Sequence, residues 1–143
     1  MRLRARFSGA TLPLLALCVA SVATTLHADV VNIDNDTLRD LVASGVPLVD
    51  VRRPEEWEDT GVIERSELLT FFDEEGAYDA GAWLAKIEQI ATPDEPVILI
   101  CRSGNRTNLI SRWLSEEQGY DTVYNVAEGM LSWQADGGRT VTP

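Results

Sequence analysis

The chain has 143 residues, 45% hydrophobic, 24% charged and 7% aromatic, the profile of one soluble globular domain rather than two domains or a disordered chain. With 12 basic and 23 acidic residues its formal charge is −11, which argues against non-specific binding to nucleic acid or anionic membranes. Two cysteines, Cys18 and Cys101, and one histidine, His27, exclude a Cys₄ or Cys₂His₂ zinc site and a disulfide-rich scaffold.

Residues 1–28 read as a secretory signal peptide. Arg2, Arg4 and Arg6 form a positive start, an apolar run follows from Ala10 to Ala23, and Leu26-His27-Ala28 ends on a small residue. The run is short for a membrane span, so cleavage near Ala28 is expected rather than a retained anchor, with a periplasmic or secreted destination. The segment carries three arginines and no acidic residue, so residues 29–143 hold 9 basic and 23 acidic groups, net −14. They also keep one cysteine and no histidine, which excludes Ser-His-Asp and Cys-His mechanisms and an internal disulfide. A lone cysteine in an oxidising compartment is a chemical liability, so its setting matters.

Residues 29–143 read as one α/β domain, with short apolar runs alternating with segments of helical period. Val30 to Ile33 is a first strand. Asp34 or Asp36 caps a helix carrying Leu38, Leu41 and Val42, and Gly45 ends it. Val46 to Val51 is a second strand. Pro54 to Glu58 is a helical turn with proline at its start and acids in its first turn. Gly61-Val62-Ile63 is a brief strand, and Leu68 to Phe72 is apolar without an assigned element. Asp79 to Ala91 sets Trp83, Leu84, Ile87 and Ile90 on one helical face before Thr92-Pro93 breaks it. Pro96 to Ile100 is a continuous apolar run, the mark of a parallel strand buried on both faces. Thr107 to Gln118 is a helix, Thr122 to Val126 a last strand, and Gly129 to Gln134 a last helix. Gly137-Gly138 loosens the tail.

Between the most apolar strand and the next helix lies Cys101-Arg102-Ser103-Gly104-Asn105-Arg106-Thr107. Ligands of open α/β sheets bind at the carboxyl ends of strands. Gly104 and Asn105 tolerate unusual backbone angles, so successive N–H groups can turn inward at the positive end of the following helix. Such a field stabilises a thiolate. Cysteine is also a common core residue, but the polar, glycine-containing loop favours a reactive thiol.

This loop resembles the active-site loop of single-domain rhodaneses, which are sulfurtransferases. Leu48-Val49-Asp50-Val51-Arg52-Arg53-Pro54-Glu55-Glu56-Trp57 resembles the family's D-V-R-x-x-x-E-F/Y/W segment, and Gly129-Met130-Leu131-Ser132-Trp133 resembles its G-G-x-x-x-W close. The three stand in the family's order and span nearly all of residues 29–143. One stretch departs: where the family often has G-H-I-P-G-A, this chain has Gly61-Val62-Ile63-Glu64-Arg65-Ser66.

The resemblance implies a rhodanese-like fold, a mostly parallel five-stranded sheet with helices on both faces. It implies a Cys101 thiolate that takes the outer sulfur of thiosulfate or a similar donor and passes it, as a persulfide, to cyanide or a thiol. Loop amides of residues 102–107 would steady the anionic sulfur, Arg102 and Arg106 would hold the anionic donor, and no metal or organic cofactor is required. Asp50 becomes a support for the loop, and Arg52 with Glu56 a structural ion pair. Arg106 could pair with Asp50 or Glu56 instead of substrate, and Arg53 could face either way. Trp57, Trp83, Trp113 and Trp133 read as core or pocket wall, Phe71-Phe72 as core or pocket rim, and Asp73-Glu74-Glu75 and Glu116-Glu117 as solvated faces.

The expected partners are a small anionic sulfur donor, a thiol or cyanide acceptor and an unidentified protein acceptor, with no nucleic acid and no membrane after cleavage. Two rival functions stand beside sulfur transfer. A cysteine phosphatase or arsenate reductase uses C-x₅-R, but the sixth position after Cys101 is Thr107 and Arg106 falls one residue short. A non-turnover persulfide carrier would load Cys101 without releasing the sulfur.

Overall fold

The computed structural model describes residues 29–143; the predicted signal peptide, residues 1–28, lies outside them. Ten elements follow in the order β1 (Asp29–Ile33), α1 (Asn35–Ala43), β2 (Leu48–Asp50), α2 (Pro54–Thr60), β3 (Glu67–Leu68), α3 (Ala80–Ile87), β4 (Val97–Ile100), α4 (Asn105–Glu117), β5 (Thr122–Val126) and α5 (Gly129–Ala135). One five-stranded sheet runs β1-β5-β4-β2-β3, and every neighbouring pair is parallel.

The sheet is covered on both faces, as its apolar central strand requires. Val97 and Leu99 point into one core with Trp83 and Ile87 of α3 and Ile110 and Leu114 of α4. Ile98 and Ile100 point into the other, with Leu38 of α1 and Met130 and Trp133 of α5. The period-two alternation carries through the end of the strand, so Cys101 falls on the α3–α4 side with Val97 and Leu99.

Helix starts follow local chemistry. The Asp34 carboxylate accepts the Thr37 N–H at 2.9 Å, which makes Asp34 rather than Asp36 the cap of α1. Asp79 caps α3 through the Ala82 N–H, also at 2.9 Å. That helix is shorter than its apolar face suggests, but Ile90 and Ala91 N–H groups still bond the Ile87 carbonyl before Thr92-Pro93.

Two expectations are corrected. Gly61-Val62-Ile63 is not a sheet strand. The Ile63 carbonyl accepts the Ser66 N–H and hydroxyl, which turns the chain, and Val62 pairs with Val141 in an isolated antiparallel bridge. The strand beside β2 is instead Glu67–Leu68, the start of the unassigned apolar stretch. The Gly137-Gly138 segment is not loose either. The Trp133 ring lies so close to Gly138 that a Cβ there would stand 2.4 Å from it, and its indole N–H donates to the Arg139 carbonyl at 3.1 Å.

Candidate active site

Cys101 ends the buried strand β4 and is 1% exposed. Its Sγ accepts the Gly104 N–H at 3.2 Å, and the Thr107 Oγ1 lies 3.5 Å away. The Thr107 hydroxyl also donates to the Gly104 carbonyl at 3.1 Å, so it can turn between that oxygen and the sulfur. The sulfur therefore sits under the first turn of a 13-residue helix, where backbone N–H groups have no intrahelical acceptor and the field favours negative charge.

The loop is shorter than the sequence suggests. α4 begins at Asn105 rather than Thr107, because Gly104 adopts a left-handed conformation (φ 85°) and its carbonyl accepts the Asn108 N–H at 2.9 Å. One amide, that of Gly104, donates to Sγ among the described residues, where the resemblance implied several. Arg102, Ser103 and Asn105 are exposed around the buried sulfur.

Two backbone contacts fix this turn. A Cβ on Gly104 would stand 1.8 Å from the Ala127 carbonyl oxygen, so the β5–α5 connection presses directly on the loop. At Gly129 (φ 60°) a Cβ would stand 2.5 Å from the Cys101 carbonyl oxygen. The opening amides of α5 use that proximity: Met130 N–H donates to Cys101 O at 2.9 Å and Leu131 N–H to Arg102 O at 3.0 Å. The contribution of Ala127 and of the Met130 and Leu131 amides was missed from sequence. The available signal was a glycine at a strand-to-helix junction, which marks close backbone approach.

The predicted supports regroup. Arg52 does not pair with the Glu56 carboxylate. Its guanidinium pairs with Asp50, Nη2 to Oδ2 at 2.7 Å, and both side chains are 1% exposed. The remaining donors reach the Glu56 carbonyl at 3.2 Å, Thr60 Oγ1 at 2.6 Å and the Gly61 carbonyl at 2.8 Å. Asp50 thus supports the site indirectly, by holding the arginine that pins α2 to the end of β2.

Glu56, placed by α2, carries the link onward. Its Oε2 accepts the Arg53 N–H at 3.0 Å, and its two oxygens accept Arg106 Nη1 and Nη2 at 2.8 and 2.6 Å. Burial pushes the Glu56 carboxyl up, but the Arg106 hydrogen bonds, the Arg53 amide and both guanidinium charges outweigh it and hold it at about 2. The Glu56 hydrogen bonds raise Arg106 against burial, and the adjacent Cys101 sulfur adds to the rise. Of the alternatives for Arg106, the geometry selects Glu56, so its fork is occupied and it is not free to clamp an anion. Arg102 has no such partner among the described residues. It lines a cleft of about 330 Å³ with Arg53, Met130 and Leu131.

Trp83, Trp113 and Phe71 pack in the core shared with Cys101, and Trp133 packs in the other.

The rhodanese-like domain family matches residues 34–136, and the chain belongs to that family. It is 28% identical over 86 residues to the Rhodanese-like/PpiC domain-containing protein 12, chloroplastic, of Arabidopsis thaliana, a match covering 60% of this chain and 26% of that protein. The chain thus spans about a quarter of that relative's length. A rhodanese-like domain protein from Staphylococcus aureus superposes with a TM-score of 0.54 at 26% identity, over 72% of this chain and 90% of that one. The polysulfide-sulfur transferase homodimer of Wolinella succinogenes shares the fold, with a TM-score of 0.61 at 23% identity over 81% of each chain.

Proposed function

We propose that the domain is a sulfurtransferase that moves a sulfane sulfur from thiosulfate or a similar donor to cyanide or a thiol through a Cys101 persulfide. The observation that carries this reading is the Cys101 sulfur held under the α4 N-terminus by the Gly104 amide.

The steps balance without a cofactor. The Cys101 thiolate attacks the outer sulfur of thiosulfate, a Cys101 S–S bond forms, and the thiosulfate S–S bond breaks. Sulfite leaves with the electron pair. The acceptor then attacks the outer persulfide sulfur, and Cys101 leaves as thiolate. Cyanide would become thiocyanate, and a thiol would become a persulfide. The Gly104 amide, the Thr107 hydroxyl and the helix field steady the anionic sulfur at both stages. Arg102, exposed at the loop and without an acidic partner among the described residues, supplies the positive charge that meets the anionic donor.

Engagement of Arg106 by Glu56 counts against the phosphatase reading, because that arginine is already committed. Residues 1–28 are the proposed export signal, and the domain works in the periplasm or outside the cell.

The test is turnover. Purified protein given thiosulfate and cyanide should release thiocyanate, and Cys101→Ser should not. Hydrolysis of aryl phosphates in place of thiocyanate release would reverse the assignment, and loading without release would make the domain a carrier.

A further inference from the structure

Beside the cysteine loop, a second feature of the surface lacks a role in the chemistry above. A groove of about 450 Å³ is lined by Phe71, Phe72, Tyr78, Leu109, Trp113 and Glu117. Its floor is a packed aromatic cluster: Phe71 stacks on Tyr78 at 5.1 Å and meets Phe72, Trp83 and Trp113 edge-on at 4.8, 4.9 and 5.9 Å. Its walls are open, with Tyr78 60% and Leu109 63% exposed. Exposed aromatic and aliphatic side chains over a packed aromatic floor are the makings of a contact surface.

The groove is aligned with the reactive loop. Asn105, Leu109 and Trp113 are spaced four apart on α4 and share one face. Asn105 stands at the loop, and Leu109 is about 6 Å further along the helix axis. Phe71 and Ile110 pack in the same core as Cys101. The groove thus begins about one turn of α4 beyond the cysteine loop.

Charge specifies the occupant. The turn between Phe72 and Tyr78 carries Asp73, Glu74 and Glu75, all exposed, and Glu117 closes the other wall. The two arginines of α4 are already paired, Arg112 with Glu116 at 3.1 Å and Arg106 with Glu56 at 2.6 Å. An acidic rim around an apolar floor complements a polypeptide with an apolar anchor flanked by lysine or arginine.

We propose that this groove docks the sulfur acceptor, a basic protein segment that presents its own cysteine to the Cys101 persulfide. The proposal rests on the sulfurtransferase reading and adds the acceptor's chemical class. The acceptor thiolate attacks the outer persulfide sulfur, its own persulfide forms, and Cys101 leaves as thiolate.

The experiment uses the full chain and a synthetic cysteine peptide with a Leu-Phe pair flanked by lysines. Controls replace the lysines by glutamates or the Leu-Phe pair by serines. Binding is read by fluorescence anisotropy on unloaded protein, and sulfur transfer by peptide mass after thiosulfate loading. The basic apolar peptide should bind and accept sulfur at least about tenfold better than either control, with the advantage shrinking as salt rises. Leu109→Ser and Tyr78→Ser, at exposed positions outside the cysteine loop, should remove that advantage and leave thiocyanate release within about twofold. Equal binding of all three peptides, or indifference to both substitutions, overturns the groove assignment. Failure of Cys101 to load while selective binding persists overturns the sulfurtransferase reading and the acceptor role with it. If sedimentation shows a dimer that Leu109→Ser dissociates, the occupant is a second copy and the proposal fails.

Discussion

Glu56 and Arg106, fifty positions apart in the chain, meet through two hydrogen bonds of 2.8 and 2.6 Å. This joins α2 to the first turn of α4, the turn that covers the Cys101 sulfur. Behind it stands a second contact, Asp50 with Arg52, that fixes α2 to the sheet. The cysteine loop is thus held from below by two ion pairs in series and from the side by the amides of α5.

The Glu56 contact sets an acid dependence. Its carboxyl is held at about 2, against an ordinary 4.5. A folded-state value below the unfolded one gives stability that is fully present above 4.5 and is lost as pH falls through about 2. Glu56→Gln should cost about 2 kcal/mol at pH 7. Urea unfolding across pH should show the gap between wild type and variant narrowing below the upper value and closing near the lower.

Arg52 should be less tolerant of change. It is buried beside an equally buried carboxylate, and its removal strands the Asp50 charge. Arg52→Ala should cost about 3–5 kcal/mol, with Asp50→Ala comparable. A double-mutant cycle by urea denaturation should return a strong favourable coupling between the two, well above that of the exposed Arg112–Glu116 pair.

Glycine substitutions separate backbone strain from collision. Gly104 and Gly119 both have positive φ, but a Cβ at Gly119 meets nothing within 4 Å, whereas at Gly104 it strikes the Ala127 carbonyl. Gly119→Ala should cost about 1 kcal/mol from conformation alone. Gly104→Ala should cost more, by at least about 2 kcal/mol, and should slow any reaction of Cys101 because the amide facing Sγ must move. Melting curves and thiol-labelling rates of the two variants check this.

Thr107 tests the hydroxyl beside the sulfur. Thr107→Val keeps the shape but removes the group 3.5 Å from Sγ, and Thr107→Ser restores it. Persulfide formation should fall about tenfold in the valine variant and stay near wild type in the serine variant. Stopped-flow loading with thiosulfate distinguishes them.

Much of this arrangement was legible in the sequence, because burial on both faces writes a continuous apolar run. The apolar run Pro96 to Ile100 marks the central strand, observed as Val97–Ile100, and the polar turn after it marks the loop. The short edge strand Glu67–Leu68 was not, since two residues at a sheet edge carry no period. Val62 and Ile63 imitated a strand because both are buried, though from a turn rather than a ladder. Arg52 lies outside α2, which starts only at Pro54, so it does not meet the Glu56 carboxylate. Through the preceding extended segment, Asp50 and Arg52 share one side at a spacing of two. Arg106 could be resolved only by the fold, because a contact across fifty residues leaves no local pattern.

The most direct measurement is the mass of the protein after exposure to thiosulfate. Folded wild type should gain one sulfur atom, fragmentation should locate it on Cys101, and cyanide should remove it, while Cys101→Ser gains none. A folded wild-type protein that gains no sulfur, or a gain that survives in Cys101→Ser, would contradict the account.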